Sequence, residues 1–449
     1  MGRESQLAWA APLRAPEPPP EDAPRPPELT WRETARAVLP AFLLTRLVTL
    51  VAGVAAVLLW GIKDVEAVYD PAGLTVGLGG LVDTLVAPYA RWDAVWFLDI
   101  AHVGYPTSYA PRTAFFPLYP VLLNVGGFLL RSPLIAGLVI STACAFVGAM
   151  LVHRLTDREL GRPAAGAAVW VLLAFPGSLW LTAVYSEGLF LLLSAGCLLA
   201  ARDRRWAIAG VLGALAAATR SAGVVLVVPI LVMAWDAHRQ DLLAARRRDP
   251  REGPPPADPS APPRWAPLAA AAAVPVGLVT FVVGLVLAGH EWTASFDQQR
   301  EWGRDNVGPI AGVVRAVTAA GEGLAQLLGV GDGTGASTPG AEWMNPLLLV
   351  FLALGIAALV GAARRLPPAY AAYVGCALLL PLSAPAVGGG EPLMSLPRFL
   401  GVLFPLAMWT GWWLTRGPRR RERQVVLLVV GLGLLAVFSA LTARWSFVA

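Results

Sequence analysis

Residues 266–289 read "APLAAAAAVPVGLVTFVVGLVLAG" and carry no charged residue. A run of this length is the strongest constraint in the chain. As a helix it satisfies its own backbone and covers the roughly 30 Å of a bilayer core, and no open sheet could do the same in lipid. Comparable runs recur at 36–60, 134–152, 345–362 and 425–442. Composition agrees: 56% of the 449 residues are hydrophobic and 14% are charged, against about 25% charged in soluble domains. The expected fold class is an all-α polytopic membrane protein, which excludes a soluble enzyme or a disulfide-stapled secreted domain. The three cysteines (Cys144, Cys197, Cys376) sit in apolar runs without metal-ligand spacing and read as small buried hydrophobes. No phosphate-binding loop, dinucleotide fingerprint or His-rich motif is present.

Charge sets the threading. Lys63 is the single lysine and the remaining basic residues are arginines, a bias typical of GC-rich bacterial coding. The arginines cluster in "HRLTDRELGR" (153–162), "RDRR" (202–205), "HRQDLLAARRRDPR" (238–251), "ARR" (363–365) and "RGPRRRER" (416–423). Basic loops stay cytoplasmic, so these five segments are expected on one side. Residues 36–60 then run outward, 134–152 inward, 164–180 outward and 186–201 inward. The stretch 206–236 leaves and returns. Residues 266–289 run outward, 345–362 inward, 366–384 outward, 397–415 inward and 425–442 outward. That makes about 11 transmembrane helices. The apolar segment 115–130, with its prolines, would invert every later loop if it crossed, so it is expected as a re-entrant or interfacial helix.

This threading divides the chain. Residues 1–35, polar and Pro-rich, are expected as a disordered cytoplasmic N-terminal tail with no cleavable signal. Residues 36–449 form the transmembrane domain, with an external catalytic loop at 61–133, a Pro/Arg-rich cytoplasmic loop at 237–264 and an external loop at 290–343. The protein is expected in the plasma membrane, with its N-terminus in the cytoplasm and its active site on the external face.

The unusual polar residues fall on that external side. The passage "RWDAVWFLDIAHVGYPTSYAPRTAFFPLYP" (91–120) holds Trp92, Asp93, Asp99, His102, Tyr105 and Tyr119. Ionisable groups at membrane depth mark function by default. Asp93 is either an interfacial acid beside a belt tryptophan or a general base that accepts a proton from a hydroxyl. Asp99, six positions on, lies on another helix face and has His102 three residues away as a candidate partner. That pair offers too few ligands to indicate a divalent metal, and no cofactor is implied. Tyr185 and Glu187 in "AVYSEGLF" come next, Glu187 reading equally well as a first-turn acid. Arg220 in "ATRSAG" can snorkel to headgroups or grip a phosphate with its fork. Trp302 and Arg304 in "FDQQREWGRDN" and Arg398 in "LPRFLG" complete the set. The 296–309 stretch also reads as an amphipathic surface helix.

"RWDAVWFLDIAHVGY…AFFPLYP" resembles the signature of the PIG-V-type mannosyltransferases, the family of GPI mannosyltransferase 2. "AVYSEGLF" (183–190), "AATRSAGVV" (217–225) and "LPRFLGVLFPL" (396–406) are similar to further family stretches in the same order, so the resemblance spans about residues 36–410. The family often has an acid before "AFFP", where this chain has "SYAPRT", and often reads "TRSNG", where Ala222 stands here.

The resemblance implies a GT-C glycosyltransferase fold that moves mannose from a polyprenyl-phosphate-mannose donor to a glycolipid or other cell-envelope acceptor, with inversion. Asp93 would be the base. Arg220 and Arg398 would face the leaving phosphate, and Trp92, Tyr105 and Glu187 would shape the pocket. Implied partners are the lipid-linked donor, a lipid or glycan acceptor and the bilayer, with no nucleic acid. Two alternatives remain at this stage: another polyprenyl-phosphate sugar such as arabinose or glucose, or a lipid-linked-sugar flippase. Transport would favour midplane polar residues and internal repeats, and neither is visible.

Overall fold

Thr30 starts the first helix. Its hydroxyl accepts from the Glu33 N–H, and the Glu33 carboxylate accepts from the Thr30 N–H at 2.8 Å, a reciprocal capping box. Helix α1 (Trp31–Trp60) therefore begins inside the segment expected as a tail ending at residue 35. The computed structural model describes residues 28–63, 65–108, 110–247, 262–301, 303–330, 342–386 and 391–448. Residues 1–27 of the expected tail and half of the Pro/Arg-rich loop, 248–261, lie outside the described residues.

After α1 come two short helices, α2 (Glu66–Tyr69) and α3 (Gly80–Val86), then α4 (Asp93–Val103) and α5 (Leu118–Leu130). Four helices follow: α6 (Pro133–Leu160), α7 (Arg162–Ala174), α8 (Glu187–Arg202) and α9 (Trp206–Ala217). The centre of the chain gives α10 (Val227–Arg247), α11 (Ala266–Ala273), α12 (Val276–Leu287), α13 (Ala294–Glu301) and α14 (Pro309–Leu327). Then come α15 (Asn345–Arg365), α16 (Pro368–Ser383), α17 (Leu396–Val402), α18 (Phe404–Leu414) and α19 (Arg420–Ala443). Among the described residues no strand forms, and one isolated bridge joins Arg304 to Ala386.

Among the described residues, six helices are long and apolar enough to cross a bilayer: 31–60, 133–160, 221–243, 266–287, 345–365 and 420–443. The other expected crossings appear as shorter or broken helices. The 397–415 segment is split at Leu403, and the 206–236 hairpin turns through a 3-10 stretch, Ser221–Leu226. Large apolar side chains remain exposed on the outer faces of α1 (Leu47, Val51, Leu58) and α19 (Val425, Val429). A lipid-facing surface requires this.

The five basic segments meet at one end of the bundle. Arg158 pairs with Asp203, Arg202 with Glu159 at 2.6 Å, and Arg204 with Asp241 at 2.8 Å. Tyr370 donates to Glu159, and Arg365 and Arg416 share the Trp412 ring. Glu187 opens α8 and Arg202 closes it, so the polar residues around Glu187 lie about 24 Å away at 1.5 Å per residue. Helix α5 does not reach the basic end. It folds back along the first turns of α6, with the Tyr119 hydroxyl 2.7 Å from Ser141 Oγ and the Asn124 amide donating to the Ala101 carbonyl of α4.

Candidate active site

Asp93 is the first residue of α4, where the positive end of the helix dipole favours a carboxylate. The chain enters that helix through Trp92 at φ 58°, a conformation that is costly for an aromatic residue. The strain is held by one side chain. The Tyr185 hydroxyl donates to the Arg91 carbonyl at 2.9 Å and accepts from the Asp93 N–H at 3.2 Å, so it bridges the backbone across Trp92.

Arg398 reaches the same acid from α17. Its Nη1 donates to Asp93 Oδ2 at 2.6 Å, its Nε donates to Glu187 Oε1 at 2.9 Å, and its guanidinium lies 5.0 Å over the Tyr185 ring. The turn before α17 passes through a second non-glycine residue at positive φ, Ser395 at 68°. Glu187 is fully buried and is also paired with Arg220. Two glycines let these segments approach. A Cβ on Gly177 would lie 2.0 Å from the Pro397 carbonyl, and one on Gly188 would lie 2.4 Å from the Leu181 carbonyl. Asp93, Arg398, Glu187 and Arg220 thus form one ionic chain. Glu187 Oε2 is buried without a hydrogen bond.

This chain borders a cavity of about 1220 Å³ lined by Trp92, Asp93, Asp99, Arg220, Arg304 and Arg398. Arg304 enters from the loop after α13, and its guanidinium donates to the Ala384 and Met394 carbonyls. Burial, reinforced by nearby Arg398, pulls Arg304 down to about 10. Two carboxylates, Asp93 and Glu187, face three guanidiniums, those of Arg220, Arg304 and Arg398. The inner cluster therefore carries one surplus positive charge and suits an anionic ligand. Glu391, in the loop before α17, is buried, and burial pushes its carboxyl up to about 7.

Asp99 also lines the cavity, but its partner is Arg112, not the expected His102, which is exposed. Arg112 stands where the resemblance leads one to look for an acid. Tyr105 packs on Phe281 and donates to the Phe115 carbonyl, and Tyr119 is fully buried against Ser141. Neither lines the cavity, and both support the loop from behind. Trp302 lies outside the described residues. Sequence reasoning missed Tyr69 and Phe447, which line the cavity beside Trp92. It also missed Arg46 of α1, which donates to Ser178 and Thr182 and ties α1 to the segment before α8. A lone arginine inside an apolar run was the available signal for Arg46. Among the described residues no group of three His, Cys, Asp or Glu side chains is placed to hold a metal.

The fold and site define a helical membrane protein with a charged cavity. Residues 38–249, just under half of the chain, match the family model described as Mannosyltransferase (PIG-V). This region, which holds Asp93, Glu187 and Arg220, is similar to the PIG-V mannosyltransferase family. The chain is 38% identical over 162 residues to GPI alpha-1,6-mannosyltransferase 2 of Rattus norvegicus, covering 33% of this chain and 32% of the relative. It is 34% identical over 161 residues to the Homo sapiens protein of that name, covering 33% and 32%. It is 28% identical over 169 residues to GPI mannosyltransferase 2 of Cryptococcus neoformans, covering 34% and 39%. The matches thus span about a third of the length of these curated relatives. Among solved structures, the chain is similar to the archaeal oligosaccharyltransferase AglB from Archaeoglobus fulgidus in complex with an inhibitory peptide and a dolichol-phosphate. There the TM-score is 0.45 at 12% identity, covering 93% of this chain and 57% of that one.

Proposed function

We propose that the chain transfers mannose from a polyprenyl-phosphate-mannose donor to a hydroxyl of a glycolipid or other cell-envelope acceptor, on the external face of the plasma membrane and with inversion at the anomeric carbon. The observation that carries this reading is the Asp93–Arg398–Glu187–Arg220 chain at the cavity wall. It sets one partly accessible carboxylate beside a surplus of guanidinium charge. Similarity to the PIG-V family over 38–249 supports mannose as the sugar and a GT-C fold.

In the step proposed, the acceptor oxygen attacks C1 of the mannose, and its proton passes to the Asp93 carboxylate. The C1–O bond breaks, and the electron pair leaves with the lipid phosphate. Arg398 holds Oδ2 of Asp93, and the Asp93 side chain is 24% exposed. The phosphate would rest against Arg304 and Arg398, guanidiniums whose forks match its oxygens. A phosphate leaving group needs little protonation, so one base suffices, unlike the paired carboxyls of glycoside hydrolysis. Glu187 is too buried to meet substrate, and we assign it to holding Arg220 and Arg398 in place. The Arg-rich opposite end of the bundle supports the external face.

The test is reconstitution of the purified chain in nanodiscs with a short-chain polyprenyl-phosphate β-mannose and an alkyl mannoside. Formation of an α-linked product supports the reading. Donor left intact under conditions that preserve the fold rejects it.

A further inference from the structure

The segment that follows α19 folds back over the entrance to α4. Arg444 donates from Nε to the Gly61 carbonyl and from Nη2 to the Trp60 carbonyl, which fixes the segment to the end of α1. Trp445 is 1% exposed, lies under the Arg91 guanidinium at 4.8 Å and stacks on Tyr69 at 6.1 Å. Phe447 meets Trp92 edge-on at 5.3 Å, and Tyr69 meets Trp92 from another direction at 4.8 Å. Tyr69, Trp92 and Phe447 thus form one packed group of rings at the cavity wall beside Asp93. Two of them stay open, Tyr69 at 47% and Phe447 at 37% exposure, although apolar partners lie close by. The indole Nε1 of Trp92 is buried and has no hydrogen-bond acceptor.

Leu278, Leu380 and Val402 also line the cavity and offer aliphatic surface suited to a hydrocarbon chain. Open aromatic faces, one with a phenol hydroxyl, suit a ligand that has both apolar C–H faces and hydroxyls.

We infer that Tyr69, Trp92 and Phe447 form a carbohydrate-binding subsite that holds the acceptor's sugar ring against Asp93, while the aliphatic wall receives the donor's lipid. This rests on the transferase reading above. It adds Tyr69 and Phe447 as residues that select a glycosylated acceptor over a simple alcohol. Trp445 is a positioning residue: it backs Tyr69 and Trp92 and meets no substrate itself.

The experiment uses the full chain in nanodiscs, with octyl α-D-mannopyranoside as probe and 1-octanol as the tail-only control. Saturation transfer from protein to the probe's ring protons reports binding without turnover. KM for probe and for donor is measured separately. Tyr69→Ala and Phe447→Ala should each weaken ring-proton saturation and raise the probe KM about tenfold, with donor KM changed less than about twofold. Tyr69→Phe should restore binding, because it keeps the ring. Unchanged probe binding in both alanine variants overturns the subsite. So does a rise confined to donor KM, or displacement of the probe by 1-octanol at equal concentration. If the unmodified chain transfers no mannose but the alanine variants still lose ring-proton saturation, the transferase reading fails and the subsite stands.

Discussion

Arg398 and Asp93 stand 305 positions apart in the chain and meet at 2.6 Å, with the same guanidinium also bonded to Glu187. One cation therefore fixes the orientation of the proposed base and balances a fully buried carboxylate. Removing one member of a buried pair typically costs 3–5 kcal/mol, because the other is left uncompensated. Arg398→Met is expected to lower the yield of folded protein and the melting temperature in detergent. Glu187→Leu combined with Arg398→Met should recover part of that loss, measured as a double-mutant cycle. Strict additivity of the two changes would show that the pair is not coupled.

Asp93→Asn keeps the size and shape of the side chain but accepts no proton. Turnover should fall by at least about a hundredfold, roughly 2.7 kcal/mol of barrier, with donor KM little changed. Asp99→Asn should cost much less, because Asp99 already serves Arg112. Near-normal transfer in Asp93→Asn, with loss in Asp99→Asn, would move the base to the second acid.

Arg304 donates to two carbonyls, and we assign it to the donor phosphate. Arg304→Gln should raise donor KM by about tenfold or more, with acceptor KM little changed. Arg220→Lys keeps charge and loses the fork. Its effect should be smaller on donor KM than on thermal stability, since Arg220 pairs with Glu187. An Arg220→Lys protein that melts normally but loses donor affinity would reverse these two assignments.

Glu391 gives a pH dependence. Burial raises its carboxyl to about 7 from the ordinary 4.5, so between these values the folded state binds more protons than the unfolded one. Stability from this residue is then full below about pH 4.5 and declines as pH rises through 7. The decline is at most roughly 3 kcal/mol. Glu391→Gln should remove it. The gap in melting temperature between variant and unmodified chain should widen in favour of the variant from pH 5 to pH 8. A gap constant with pH would place the titration elsewhere.

Sidedness can be read by labelling in a cysteine-free background. Asp157→Cys, at the Arg-rich end, should resist a membrane-impermeant maleimide in intact cells, and Ala72→Cys, at the cavity mouth, should react. The reverse pattern would invert the threading.

Much of the bundle was legible because it depends on local pattern. Charge-free runs gave the membrane class, Arg clusters gave segments that do meet at one end, and "ATRSAG" marked the turn between α9 and α10. The Thr30 capping box was also readable, yet the Pro-rich composition before it drew the tail boundary five residues too late. The site was legible only in part. Asp93, Glu187, Arg220 and Arg398 stood out as ions in apolar surroundings, but nothing local says that one guanidinium joins two of the acids. The Asp99–Arg112 pair depends on how the 3-10 turn Ala110–Ala114 folds back over α4. Tyr69 and Phe447 sit in short segments with no apolar period to mark them, and they meet Trp92 only through packing.

The spread of the ionic chain along the sequence sets an order on biogenesis. Asp93 and Glu187 enter the membrane first, Arg220 follows soon after, and Arg398 arrives only with α17. Until then one carboxylate has no cation at bilayer depth, where an unpaired charge is costly. The early helices must therefore keep that acid hydrated until Arg398 docks. A partly synthesised chain that lacks α17 has no assembled ionic chain.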